Sequence, residues 1–199
     1  SLVEAWSLLG SAYTLINETI KAVEAFIECS LLEKNEQQKL VEYSNALFTA
    51  NYSEKLSATE KYSLHLKYND FFSDIKQFEH NFKVNKKKIR IGYISPDFRQ
   101  HAVSYFSYTM LANFNRNVFE VFCYAKGLAD DITFKLKAVV DKWQNVDNLE
   151  YEDIAKLIYA DNIDILVDLA GHTAHSLLPV FAYKPAPLQI SGIGYFNTT

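Results

Sequence analysis

Three of the five histidines stand where a short apolar segment gives way to a turn: His101, His172 and His175. His101 follows Pro96-Asp97-Phe98-Arg99-Gln100. An imidazole with a pKa near ~6.5 can accept a proton at neutral pH or donate a hydrogen bond to a hydroxyl. A loop histidine can equally be a plain surface or structural residue. Asp97, at a strand end, can cap the next helix or pair with Arg99. Gly171-His172-Thr173 directly follows the most apolar segment of the second half. Gly171 permits a tight turn and a close backbone approach. Thr173 and the turn's N–H groups can donate to a phosphate or hydroxyl, or the segment is an ordinary βα turn with Thr173 capping a helix. His175 lies farther along and reads as exposed. No GxGxxG, Walker or GxSxG sequence is present, which disfavours a dinucleotide site, a P-loop and a hydrolase elbow. The histidines lack a helix-borne HExxH or a cysteine partner, so no metal site is expected.

The elements that carry these turns are legible from residue 89 onward. Ile89–Ile94, Phe119–Tyr124, Trp143–Val146, Ile163–Leu169 and Leu188–Ser191 read as five strands. Helical patterns separate them at Val103–Asn113, Ile132–Val140, Tyr151–Asp161 and, briefly, Leu177–Ala182. Such alternation predicts a parallel sheet covered on both faces, an α/β Rossmann-like domain. Right-handed crossovers leave few topologies. The commonest strand order, 3-2-1-4-5, sets the first and fourth strands side by side at the switch point, where ligands bind beyond the strands' carboxyl ends. The segments Ser95–Ala102 and Ala170–His175 then meet there.

The first half is different in kind. Proline is absent before Pro96, and Gly10 is the one glycine before Gly92, as a helical region requires. Trp6-x-x-Leu9-Gly10-x-x-Tyr13 followed by Ala22-x-x-x-Phe26 has the tetratricopeptide (TPR) spacing. Trp6, Leu9 and Tyr13 share one helix face, Ala22, Phe26 and Cys29 share another, and Asn17 and Glu18 make the turn. The repeat runs from about Val3 to Glu36. Further helices are expected over Gln37–Asn51 and Ser57–Phe78, the second opened by a Ser57/Glu60 capping box. Tyr62, His65, Tyr68, Phe71 and Phe72 form an aromatic stripe that reads as a core face, with His65 packed inside and His80 facing solvent. The halves divide into residues 1–80, an all-α TPR-like helical region with linker helices, and residues 81–199, the Rossmann-like domain. Asn81, Asn85 and the lysines form a polar connector.

Composition narrows the function classes. The net charge of −4 argues against a nucleic-acid binder. The run Lys86-Lys87-Lys88-Ile89-Arg90 reads as a solvated strand entrance. Cys29 and Cys123 sit in apolar segments with no CxxC pair, as buried thiols of a cytoplasmic protein would. No apolar run approaches the ~20 residues of a membrane span, and the first residues lack the basic, then apolar, then small-residue order of a signal peptide. The chain begins at Ser1 and its one methionine is Met110, which suggests a piece of a longer protein.

The ordered motifs Arg90-Ile-Gly-Tyr-Ile-Ser-Pro-Asp-Phe-Arg-x-His101, Phe119–Ala125, Asp164–Thr173, Lys184-Pro-Ala-Pro-Leu-Gln189 and Gly194-Tyr195-x-x-Thr198 resemble the O-GlcNAc transferase family, nearest to its bacterial SPINDLY-like branch. Tyr43-Ser-Asn-Ala-Leu-Phe48 looks like that branch's linker between repeats and catalysis. The resemblance implies a TPR superhelix followed by two Rossmann-like domains, the GT-B architecture, of which this chain would hold the N-terminal, acceptor-side half. It implies an inverting, metal-independent glycosyltransferase that uses a nucleotide-sugar as co-substrate and no cofactor. The donor is usually UDP-GlcNAc, or GDP-fucose in SPINDLY relatives, and the acceptor is serine or threonine of a protein docked by the TPR region. The histidine matching His101 would face the sugar, where it was proposed as a general base. The loops matching Gly171-His172-Thr173 and Gly194-Tyr195, with Thr198, would border the same cleft, and Asp97 and Asp168 are candidates to support it. The family usually reads Gly-Tyr-Pro-Gly-Thr at the last loop, where this chain has Gly194-Tyr195-Phe196-Asn197-Thr198. The C-terminal donor-binding domain, a partner for catalysis, is not in this sequence, so negligible transfer is expected from the chain alone. Two other readings compete: a non-catalytic TPR-type interaction module, and a generic nucleotide-binding α/β domain. Neither a nucleic-acid nor a membrane partner is expected.

Overall fold

The computed structural model describes residues 1–81 and 87–199. Asn85 of the expected connector and Lys86 of the basic run lie outside the described residues. The chain divides into two compact units. One comprises residues 1–74 with 172–175 and 197–199; the other comprises 75–171 and 176–196.

The first unit is helical. Helices α1 (Leu2–Leu15), α2 (Thr19–Leu32), α3 (Glu36–Ala50) and α4 (Ala58–Tyr68) pack in sequence. Ser1 with Glu4, and Ser57 with Glu60, form capping boxes, and Asn35 caps α3. The turn between α1 and α2 places Asn17 at φ 60. Ala22, Val23 and Phe26 of α2 meet Ala46 and Ala50 of α3 in a small core. Gly10 is buried against Phe26, where an added methyl would stand 2.8 Å from the ring. The small residue is therefore what lets α1 and α2 approach. The helix expected to reach Phe78 ends at Tyr68, and a 3-10 turn covers Asn69–Phe72. Two causes act together. Asn69 and Asp70 are poor helix formers. Phe78 belongs to the second unit instead: its N–H bonds Tyr183 O at 2.9 Å and its ring stacks on Tyr159 at 4.4 Å. His80 is half-buried rather than solvent-facing, and its Nε2 donates to Lys184 O at 2.7 Å.

A polar cluster lies inside the helical unit. His172 is 2% exposed. Its Nδ1 stands 3.1 Å from Ser44 Oγ, and the Tyr68 and His65 rings meet it edge-on at 4.6 and 5.4 Å. His65, likewise buried, donates from Nδ1 to Lys61 O at 2.7 Å. The stripe from α4 is thus largely a core face, although Tyr62 is exposed.

The second unit is a five-stranded parallel sheet of order β3-β2-β1-β4-β5. The strands are β1 (Ile89–Ser95), β2 (Phe119–Ala125), β3 (Lys142–Asn145), β4 (Ile165–Asp168) and β5 (Leu188–Ser191). Helices α5 (Ala102–Ala112), α6 (Asp131–Val139) and α7 (Tyr151–Ala160) make the crossovers, and a 3-10 turn over Leu178–Tyr183 precedes β5. Pro179 stands in the first turn of that last element, which never becomes an α-helix. Each face of the sheet has its own apolar core. Ile94, Tyr124, Ile154, Ile158 and Leu166 define one; Tyr93, Val121, Cys123, Leu111 and Leu136 define the other. Both cysteines are buried and free; burial pushes the Cys29 thiol up to about 11 and raises that of Cys123 as well. No described helix is long and apolar enough to cross a membrane.

One carboxylate ties the carboxyl ends of β4 and β5. Asp168 is fully buried and accepts from Ala170 N (3.0 Å), Gly171 N (2.7 Å) and Ser191 Oγ (2.7 Å). Desolvation raises its pKa, and the three hydrogen bonds pull against that rise.

Two stability predictions follow from these buried groups. Burial, with His65 beside it, drops the His172 imidazole to about 3. A depressed histidine favours the folded state above its unfolded pKa, and that stability is lost as the pH falls through ~6.5 toward the folded value. Denaturant unfolding should therefore show the helical unit losing roughly 1–2 kcal/mol between pH 7 and pH 5, and His172→Asn should flatten the slope. Asp168→Ala strands two backbone N–H groups and should cost about 2–4 kcal/mol. Asp168→Asn should cost less. Because the folded pKa of Asp168 is raised, the wild-type margin over Asp168→Asn should be widest below about pH 4 and narrow as the pH rises through the folded value.

Candidate functional site

The turn that carries His101 is fixed from four sides. Ser95 Oγ accepts from Asp97 N at 3.0 Å, and Ser104 Oγ donates to Asp97 O at 2.6 Å. Thr133 Oγ1 donates to Phe98 O at 2.7 Å, and Asp130 accepts from Gln100 N at 2.6 Å. Phe98 is buried in the sheet core against Trp143. With backbone and anchor both held, His101 is placed rather than loose.

His101 itself is the N-cap of α5: its Nδ1 accepts from Val103 N at 3.3 Å. The same nitrogen lies 3.7 Å from Asp97 Oδ2. These two contacts make opposite demands. Capping needs a lone pair on Nδ1, which leaves the proton on Nε2 in the neutral ring; an Nδ1–H turned toward Asp97 would leave Nε2 free to accept. The capping bond is the shorter of the two, so the neutral ring presents Nε2–H as a donor. Asp97 is buried, faces Arg99 at 3.6 Å, and does not cap the helix.

The carboxyl end of β4 stands beside that of β1. The pairing runs in parallel register from Ile91↔Ile165 to Ile94↔Asp168. The turn after β1 and Gly171 after β4 thus open onto one edge of one sheet, at the switch point. Gly171 has φ +58, and a Cβ there would collide with Tyr195. A Cβ on Gly194 would collide with the carbonyl of Leu169. Two glycines therefore let the loops after β4 and β5 interlock, with Tyr195 buried over Gly171. Between Gly192 and Gly194, joined by a 3.0 Å N–H to O bond, Ile193 is held at φ 72. A β-branched residue in that region costs on the order of 1–3 kcal/mol, a strain that concentrates at working loops.

The structure redistributes the expected contacts of the Gly-His-Thr turn. The N–H groups of Ala170 and Gly171 are both engaged by Asp168 and are not offered to a phosphate. His172, Thr173 and Thr198 belong to the helical unit, where His172 is buried and Thr173 Oγ1 is buried with no hydrogen-bond partner among the described residues. No helix starts at Thr173, so it is not a cap. His175 is exposed, at φ 60. What the second unit brings together is His101 with Asp97 after β1, Gly171 with Asp168 after β4, and Gly194 with Tyr195 after β5. Among the described residues no three His, Cys, Asp or Glu side chains group as a metal set.

Sequence reading missed a cavity of about 390 Å³ beside His101, walled by Arg99, Ser104, Tyr105, Tyr108 and Lys135. Its far wall comes from α6, some 30 residues on in the chain. The one local signal was the cap Asp130-x-x-Thr133, which starts α6 and aims it at the His101 turn.

Known proteins bear on this edge. The chain is 40% identical over 124 residues to a "Probable UDP-N-acetylglucosamine--peptide N-acetylglucosaminyltransferase SPINDLY" of Arabidopsis thaliana, covering 60% of this chain and 14% of that protein. It is 32% identical over 185 residues to the protein of the same description from Oryza sativa subsp. japonica, covering 89% of this chain and 20% of that protein. A mutant O-GlcNAc transferase of Thermobaculum terrenum superposes with a TM-score of 0.85 at 25% identity, over 97% of this chain and 37% of that one. The chain thus spans about a fifth or less of the length of these curated relatives. Residues 18–199 match Glycosyl transferase family 41, and the chain belongs to that family.

Proposed function

We propose that this chain supplies the acceptor-side Rossmann-like half of a protein O-glycosyltransferase. The enzyme moves a sugar, GlcNAc by the names of the relatives, from a uridine diphosphate sugar to serine or threonine of a polypeptide. The observation that carries the reading is the parallel pairing of β1 with β4, which sets the His101 turn and Gly171 on one carboxyl edge. Family membership and the likeness to a bacterial O-GlcNAc transferase support it. In this reading the helical unit of residues 1–74 docks the acceptor protein, as a TPR-type region; the expected division at 80/81 shifts so that residues 75–80 join the catalytic half-domain.

The chemistry balances simply. The acceptor hydroxyl oxygen forms a bond to the anomeric carbon, the bond from that carbon to the phosphate oxygen breaks, and the diphosphate leaves with the electron pair. The hydroxyl proton must go to a base. His101 in its capping tautomer is a donor from Nε2, suited to holding a sugar or acceptor oxygen in line. It becomes a base only by giving up its bond to Val103 and turning its Nδ1–H to Asp97. Gly171 lets Tyr195 close directly over the backbone, and the pair forms a fixed wall of that edge. The co-substrate nucleotide is held mainly by the other half of the enzyme, without a metal.

The test is sugar transfer from labelled UDP-GlcNAc, with GDP-fucose as the comparison donor, to serine/threonine peptides, using the protein carrying this chain together with its nucleotide-binding half. His101→Ala should lower kcat/KM by about 10²–10³-fold, the usual loss for one positioned donor. His101→Asn, which restores an N–H donor and remains a good N-cap, should recover at least about tenfold of that loss. Equal damage from Ala and Asn would assign the base role instead. Absence of transfer to any hydroxyl peptide from either donor would overturn the function.

A further inference from the structure

The cavity beside His101 carries positive charge in an acidic chain. The chain carries a net charge of −4, yet the charged side chains on the cavity wall are Arg99 and Lys135, with no carboxylate among the lining residues. Two neighbouring acids already have partners. Asp97 faces Arg99 and His101, and Asp130 accepts from Gln100, Ile132 and Thr133. Arg99 touches Asp97 through one nitrogen at 3.6 Å, which leaves most of its donor fork available. Lys135 makes no ion pair among the described residues. Tyr105 and Tyr108 are exposed at 66% and 40%, adding ring surface and phenol donors to the same wall. Two cations backed by aromatic surface, in a recess of about 390 Å³, suit an anion on a short organic arm.

We propose that this cavity is an anion-selecting subsite for the acceptor. It would seat a carboxylate or phosphate carried by the acceptor polypeptide within a few residues of the hydroxyl that is glycosylated. The inference rests on the transferase reading, because His101 shares the cavity and fixes how near the anion lies to the reacting hydroxyl. Arg99 and Lys135 are specificity-determining residues here, since they choose which hydroxyl is presented.

The experiment measures binding and transfer separately. Fluorescence anisotropy compares labelled serine peptides that differ at one flanking position: Glu, phosphoserine, Gln or Lys. The wild-type protein carrying this chain with its nucleotide-binding half should bind the Glu and phosphoserine peptides about three- to tenfold more tightly than the Gln peptide at low salt, with the gap closing as salt rises. Arg99→Ala with Lys135→Ala should erase the gap. Lys135→Glu should shift preference to the Lys peptide, a gain that misfolding cannot produce. In the transfer assay the same ranking should appear in kcat/KM. Equal affinity for all four peptides, no measurable binding of the Glu peptide, or a preference that survives the double substitution would overturn the subsite. If the substitutions weaken binding of UDP alone while peptide ranking stands, the anion held is the donor's diphosphate, and the proposal fails. Peptide ranking without any sugar transfer would sink the transferase reading, and with it the acceptor role of the cavity, leaving a peptide-anion site of another kind.

Discussion

The pairing of β1 with β4 is the constraint on which the rest depends. Parallel strands must be joined by crossovers, and one reversal of winding direction leaves two adjacent strands whose following loops part to opposite sides of the sheet. Here those strands end in Ser95 and Asp168. Had β4 added outside β3, the His101 turn and Gly171 would stand at opposite ends of the sheet. Sheet order thus does what no individual residue could, and the local devices refine it.

Those devices are polar and buried, which sets their energetic character. Asp168 gathers two backbone donors and Ser191. Its three bonds offset the desolvation of a carboxylate only in part, as its raised pKa records. The gain lies in geometry: the β4 turn and the end of β5 are held by one group, which lets Gly194 and Tyr195 close over Leu169 and Gly171. Ile193, at φ 72, carries the strain of that closure. A loop interlocked through two glycines and one strained isoleucine has little freedom to drift, and a substrate edge of fixed shape is what transfer chemistry requires.

Much of this was legible in the sequence, and the exceptions have physical causes. The apolar runs of β1, β2 and β4 announced buried parallel strands, and the Ser57/Glu60 box started α4 where the spacing placed it. The end of α4 was not legible, because Phe78 is claimed by Tyr183 and Tyr159, more than 80 residues away. His172 looked like a loop residue beside a glycine. Its burial against Ser44, Tyr68 and His65 depends on partners from α3 and α4 that no local pattern reveals. The tautomer of His101 depends on a bond two residues along, to Val103, and on competition from Asp97; residue type alone leaves both roles open. Lys135 reaches the cavity because α6 packs against α5, a tertiary contact that no local pattern shows.

The central claim is that the turn after β1 and the turn after β4 serve one reacting group. A double-mutant cycle on kcat/KM measures this directly, using His101→Ala, Gly171→Ala and the pair. If both turns hold the same transition state, the two losses should not add, and the coupling should exceed about 1 kcal/mol. Strict additivity would mean that the shared edge is an accident of topology, and would contradict the account.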